Sequence, residues 1–199
     1  MSRRTSRVIA SSLIRVRPLR TAALLAALPG ATLLSPPPEA HAQTTATWIG
    51  GASGDYNVAA NWEIGGVAGT GIVPINSFNS DTYTVVLPDG VDVLFTGLGT
   101  GNVVDRLEFG NGARLTASAG STLTDVTGSI IDNALLASES GGQLDVSATS
   151  YVNARNATET IFSASGAGSV LDASSLQSLR FGNGNGRRVK TIQADADGL

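Results

Sequence analysis

The chain has 199 residues, 42% of them hydrophobic, 5% aromatic and 15% charged, with a formal net charge of −3. It has no cysteine and a single histidine, His41, so it cannot rely on disulfides, and without His41 it cannot build a Ser-His-Asp triad, a thiol nucleophile or an ordinary zinc site. Six of its 13 basic residues and one of its 16 acidic residues fall within positions 1–42, which leaves seven against 15 and a net charge of −8 beyond them, a balance that argues against a nucleic-acid partner.

The N-terminus reads "MSRRTSRVIASSLIRVRPLR", with six arginines and no acid, then the apolar run "TAALLAALPGATLL" over 21–34, then Ala40-His41-Ala42. Basic, apolar and small-x-small in that order predict a cleavable secretory signal peptide over 1–42. Fourteen apolar residues broken by Pro29-Gly30 are too few to span a bilayer comfortably. The residues after Arg3-Arg4 do not support a twin-arginine signal.

Residues 43–80 are expected to form an N-terminal cap and loop. They hold both tryptophans in "TWIGGASGDYNVAANW" (47–62), with Gly50, Gly51 and Gly54 between them. Two functions compete for this stretch. Trp48 and Trp62 could plug the end of a structural core, or Trp48, Tyr56 and Trp62 could offer a stacking platform to a glycan.

From residue 81 the pattern becomes period two. "TYTVVL" (82–87) sets Tyr83, Val85 and Leu87 on one side, "VDVLF" (91–95) sets Val91, Val93 and Phe95, and "DRLEF" (105–109) sets Leu107 and Phe109 against Arg106 and Glu108. Such runs separated by Gly, Asn and Ser predict short strands and turns.

The strands then repeat. "LLASESGGQLDVS" (135–147) aligns with "FSASGAGSVLDAS" (162–174) at an offset of 27, placing Ala137 on Ala164, Ser138 on Ser165, Gly141 on Gly168, Leu144 on Leu171 and Asp145 on Asp172. "RLTASAGSTLT" (114–124) reads as an earlier copy, "TIQADADGL" (191–199) as the start of a later one, and "LEFGNG" (107–112) returns as "LRFGNG" (179–184). Periods in the twenties predict an all-β, right-handed parallel β-helix (β-solenoid) over 81–199, with apolar residues inward, Gln143, Asp145 and Ser147 outward, and small residues such as Ala137 and Ala164 at corners. The last copy breaks off within a turn, so the chain reads as the N-terminal piece of a longer protein whose C-terminal cap and anchor lie outside this sequence.

Asp145 and Asp172, repeated on one outer face, are the acids best placed for paired-carboxylate chemistry on a polysaccharide. Copying of a turn produces the same repetition without chemistry, and that reading is preferred. "DADG" (195–198) opens like a calcium loop but lacks the closing acid, "GNGNGRR" (182–188) lacks the helix and lysine of a phosphate loop, and "RRVK" (187–190) reads as a solvated strand edge. Asn156-Ala157-Thr158 is a formal glycosylation sequon, expected to go unused. No catalytic, cofactor-binding or metal-binding residue is therefore assigned.

The order Trp48, Gly50, Gly51, Gly54, Tyr56, Asn61, Trp62, Pro74, followed by Leu107-Glu108-Phe109-Gly110-Asn111-Gly112-Ala113-Arg114-Leu115, resembles the mature N-terminus of large bacterial exported β-helix surface proteins. These include autotransporter-type passengers and surface proteins with a C-terminal sorting tail. The resemblance covers about residues 45–145 and departs at Tyr56, where tryptophan is commoner. It implies export to the cell surface and a structural or adhesive role without catalysis, with extracellular glycans or other cells as partners. The alternatives are the N-terminal part of a carbohydrate-active β-helix enzyme and a glycan-binding module using Trp48 and Trp62.

Overall fold

A computed structural model describes residues 43–76, 81–97, 99–182 and 189–195. The expected signal peptide (1–42), the Gly-rich stretch 183–188 and positions 196–198 of "DADG" lie outside the described residues.

The fold is all-β. The N-terminal part contributes β1 (Gln43–Trp48), β2 (Ser53–Asp55), one 3-10 turn (Ala59–Asn61), β3 (Trp62–Ile64) and β4 (Val67–Ala68). Next come β5 (Thr82–Leu87), β6 (Asp92–Phe95), β7 (Asn102–Val104), β8 (Arg106–Phe109), β9 (Arg114–Ala117) and β10 (Thr122–Asp125). The C-terminal part adds β11 (Leu135–Glu139), β12 (Gln143–Asp145), β13 (Ser150–Asn153), β14 (Glu159–Ser165), β15 (Val170–Asp172), β16 (Ser178–Phe181) and β17 (Lys190–Asp195). Among the described residues no helix is long and apolar enough to cross a membrane.

These strands form four sheets, ordered β4-β3-β1-β5-β8, β15-β12-β10-β7, β17-β14-β11-β9-β6-β2 and β13-β16. Every pairing is parallel except β1 with β3 and β3 with β4. Parallel neighbours need a crossover between them, and here the crossovers are strands of the other sheets. Because β1 pairs with β5 and β2 with β6, the N-terminal strands share their sheets with the strands that follow.

The period-two expectation is met strand by strand. Tyr83, Val85, Leu87, Val91, Val93, Phe95, Leu107 and Phe109 are all buried, while Arg106 and Glu108 face out and pair at 3.1 Å. Register lines the apolar residues into columns. Val93, Leu115, Leu136, Phe162 and Ile192 are successive partners across the six-stranded sheet, and Leu123, Leu144 and Leu171 across the four-stranded one. Leu144 is buried and Leu171 packs on the core, with Asp145 and Asp172 exposed beside them. The first column opens at its last member: Phe162 is 6% exposed and Ile192 58%.

The repeat alignment holds in one sheet and slips in another. Leu144 and Asp145 do oppose Leu171 and Asp172, at the expected offset of 27. Ala137, however, opposes Ser163, and Ser138 opposes Ala164, at an offset of 26. The turn after β11 is Ser140-Gly141-Gly142, whereas the turn after β14 is Gly166-Ala167-Gly168-Ser169, so the longer corner absorbs the extra residue. A one-residue slip exchanges the two faces of a strand, so the strands stay in phase and the corner varies. Ala137 and Ala164 accordingly lie within β11 and β14 and not at corners. The residue that a corner does demand to be small is Gly142: a β-carbon there would sit 2.2 Å from the Ala117 carbonyl oxygen.

Another corner repeats at a spacing of 22. The Gly90 N–H donates to the Asn111 carbonyl and the Gly112 N–H to the Asn133 carbonyl, each at 3.1 Å. The Asp89 carboxylate accepts the Asn111 N–H and the Asn133 amide oxygen accepts the Ala154 N–H, both at 2.7 Å. Inward-facing Asp125 is also satisfied without a cation. One carboxylate oxygen accepts the N–H (2.7 Å) and hydroxyl of Ser147, and the other accepts the Ser129 hydroxyl. A buried carboxylate is tolerated only when donors surround it in this way.

Candidate functional site

Three groups of side chains could carry a function. The first is the aromatic cluster. Trp48 and Trp62 are register partners on β1 and β3, with ring centroids 5.2 Å apart and edge to face. Tyr56, which follows β2, meets Trp62 at 4.7 Å and Phe95 at 5.0 Å. Their polar tips are all spent on backbone carbonyls: Trp48 Nε1 donates to Gly51 at 2.9 Å, Trp62 Nε1 to Tyr56 at 2.7 Å and the Tyr56 hydroxyl to Pro74 at 2.8 Å. Burial pushes the Tyr56 phenol well above its ordinary pKa. Gly50 is needed where it is, because a β-carbon there would lie 2.5 Å from Trp48 Cζ2. Trp48 is 2% exposed, and Tyr56 and Trp62 are fully buried. A stacking platform needs an open ring face, and none of these three offers one.

The second group is Asp145 with Asp172, adjacent on β12 and β15. Desolvation by its neighbours, then the charges of Asp172 and Asp125, push the Asp145 carboxyl up. The Ser174 side chain and its N–H, 2.8 Å from Asp172 Oδ1, hold Asp172 down. The signs therefore oppose. A carboxyl raised in the folded state binds its proton more tightly there than in the unfolded chain. Its ionisation opposes folding above the ordinary carboxylate pKa and costs nothing well below it. Asp172 contributes stability above that value and loses it as the pH falls through its lowered one. Asp145→Asn should therefore raise the urea midpoint at pH 7, within the ~0.5 kcal/mol usual for surface changes, and the gain should vanish in acid. An unchanged or lowered midpoint at pH 7 would show that the two carboxylates do not repel. Among the described residues no three acidic or histidine side chains converge as metal ligands.

The third group lies where β13, β14 and β17 meet. Glu159 and Lys190 are register partners, and their side chains are only 9% and 8% exposed. Lys190 Nζ donates to Glu159 Oε1 at 2.6 Å and to the carbonyls of Arg155 and Ala157 at 3.0 and 2.8 Å. Glu159 Oε2 lies 2.8 Å from Arg155 Nη1. Asn153, buried, donates through Nδ2 to Glu159 Oε1 at 3.1 Å and to the Tyr151 hydroxyl at 2.8 Å, while its Oδ1 accepts the Arg155 N–H at 3.1 Å. Tyr151 donates in turn to the Ala134 carbonyl at 2.9 Å, and burial pushes its phenol up to about 12.

Lys190 thus corrects the reading of "RRVK" as a solvated edge: its ammonium is turned inward and fully hydrogen-bonded. The signal that could have found this cluster is that Lys190 is the only lysine in the chain. A lone ammonium in a chain otherwise served by arginine marks a position where a compact point charge is wanted. Its partners, 31 to 35 residues earlier, could not be read from spacing.

No protein-family model, curated protein or solved structure matches this chain.

Proposed function

We propose that this chain is a segment of an exported bacterial surface protein, a right-handed β-solenoid with a structural or adhesive role and no catalysis of its own. The observation that carries the reading is the column Val93, Leu115, Leu136, Phe162 and Ile192, formed by parallel strands recurring every 21 to 30 residues. Stacked turns of this kind bury their apolar residues only against one another, which makes a long, stiff body of repeated units. Trp48, Tyr56 and Trp62 fit a cap over the first turn, since an uncovered end would leave the column wet. The acidic balance beyond residue 42 suits a protein that works outside the cell, and the N-terminal 42 residues read as its address label.

Expression of the full chain in a Gram-negative host should yield a species beginning at Gln43, recovered outside the cytoplasm. N-terminal sequencing and fractionation measure both. A full-length product retained in the cytosol would overturn the export reading.

A further inference from the structure

We infer that Lys190 and Asn153 are the two ends of an intramolecular isopeptide cross-link, formed by the chain itself with Glu159 as the proton relay. The cluster holds every component of an acyl transfer. Lys190 Nζ is the nucleophile and the Asn153 carboxamide the electrophile. Both rest on one oxygen of Glu159, at 2.6 Å from Nζ and 3.1 Å from Nδ2. The Arg155 N–H, 3.1 Å from Asn153 Oδ1, points at the oxygen on which negative charge develops when the carbonyl is attacked. The Arg155 guanidinium fixes the other carboxylate oxygen and so aims Oε1 at the two reacting groups. Asn153 is 1% exposed and Tyr151 fully buried, with Phe162 packed on the Tyr151 ring, so little water reaches the carboxamide to compete.

The step balances without a co-reactant. Glu159 takes a proton from the Lys190 ammonium, which turns a buried ion pair into a neutral amine and a neutral acid. Nζ leaves the Ala157 carbonyl and adds to Asn153 Cγ. Glu159 passes protons from Nζ to Nδ2, the Cγ–Nδ2 bond breaks, and the nitrogen departs as ammonium. Lys190 Nζ and Asn153 Cγ remain joined as a secondary amide, and Glu159 ends as it began, a carboxylate facing Arg155. Holding nucleophile, relay and carbonyl together is what makes amine attack on an unactivated amide feasible. The product ties β17 to β13, strands of different sheets, in a chain that has no cysteine to do so. Closing the loop between 153 and 190 restricts the unfolded chain by the argument that applies to a disulfide.

Intact mass spectrometry of the purified full chain tests this. The expected mass is lower than the sequence requires by one ammonia, with proteolysis releasing a branched peptide that joins Asn153 to Lys190. An amine-reactive label applied to the denatured chain should modify the N-terminus and leave Lys190, the only lysine, untouched. Asn153→Ala keeps the Lys190–Glu159 pair, so it should retain the β-type circular dichroism spectrum, show its full mass and label at Lys190. Glu159→Gln should likewise show its full mass. A wild-type chain of full sequence mass that labels at Lys190 overturns the proposal. So does an ammonia loss that fragmentation places elsewhere, for instance at Gln43 cyclised as an N-terminal residue. A branched peptide in Glu159→Gln would overturn the role given to Glu159.

Discussion

Trp62→Ala is expected to lower the unfolding free energy by about 3–5 kcal/mol, the range for deleting a buried large aromatic. The side chain is fully buried between two aromatic partners, at 5.2 Å from Trp48 and 4.7 Å from Tyr56, and its N–H serves the Tyr56 carbonyl. Truncation therefore opens a cavity, strips Trp48 and Tyr56 of an edge-to-face neighbour and leaves a buried carbonyl without its donor. A loss of this size is a large share of the 5–15 kcal/mol that holds a typical domain folded. Urea unfolding of wild type and variant reads it directly. The same samples, melted with a panel of glycans, separate a cap from a glycan platform. A lowered midpoint with no glycan-dependent shift fits a cap. A variant that unfolds like the wild type yet loses a glycan-induced stabilisation would mean that Trp62 faces solvent and binds sugar.

The strand content was legible because its signal is local. Alternation in 82–87, 91–95 and 105–109 names the buried face of each strand without knowledge of any partner. Register was legible only where turn length stayed constant. Leu144 and Leu171 pair as the repeat requires, while Ala137 and Ala164 do not, because one added residue in the corner at 166–169 shifts β14 against β11. Sequence alignment runs straight through such a corner, whereas backbone pairing keeps inward residues inward and lets the corner bulge. The spacing of 22 that links Asp89, Asn111 and Asn133 is faint in the sequence because it rests on one Asp and two Asn whose neighbours differ. Their common property is a turn-favouring backbone with a side-chain or carbonyl acceptor. The buried ionic cluster was least legible. Asn153, Arg155, Glu159 and Lys190 are scattered polar residues whose natural reading is a wet surface. Only parallel pairing of β14 with β17 puts an acid and an ammonium in register and turns them inward.

That cluster, held in its ionic form by Asn153→Ala, sets the second large effect. Glu159→Ala removes the carboxylate shared by two cations, leaving Lys190 Nζ held by two carbonyls and Arg155 without this partner. Breaking a buried pair from one side costs about 3–5 kcal/mol, because the surviving charge keeps its desolvation penalty and loses the attraction that offset it. Removing both members is different. In Glu159→Ala/Lys190→Met the buried ammonium is gone, an apolar chain of similar length fills its place, and Arg155, already 27% exposed, can turn to water. The double variant should therefore be more stable than Glu159→Ala alone, recovering roughly half or more of the loss, since ion pairs exchanged for apolar groups are often near neutral. Urea midpoints measured in the Asn153→Ala background, where Lys190 stays an ammonium, for that variant alone and with Glu159→Ala, Lys190→Met or both, close the cycle, and the coupling between the two sites should be large and of the sign that favours the pair. Additive losses would mean that Glu159 and Lys190 do not feel each other, and the buried arrangement at β13, β14 and β17 would then be wrong.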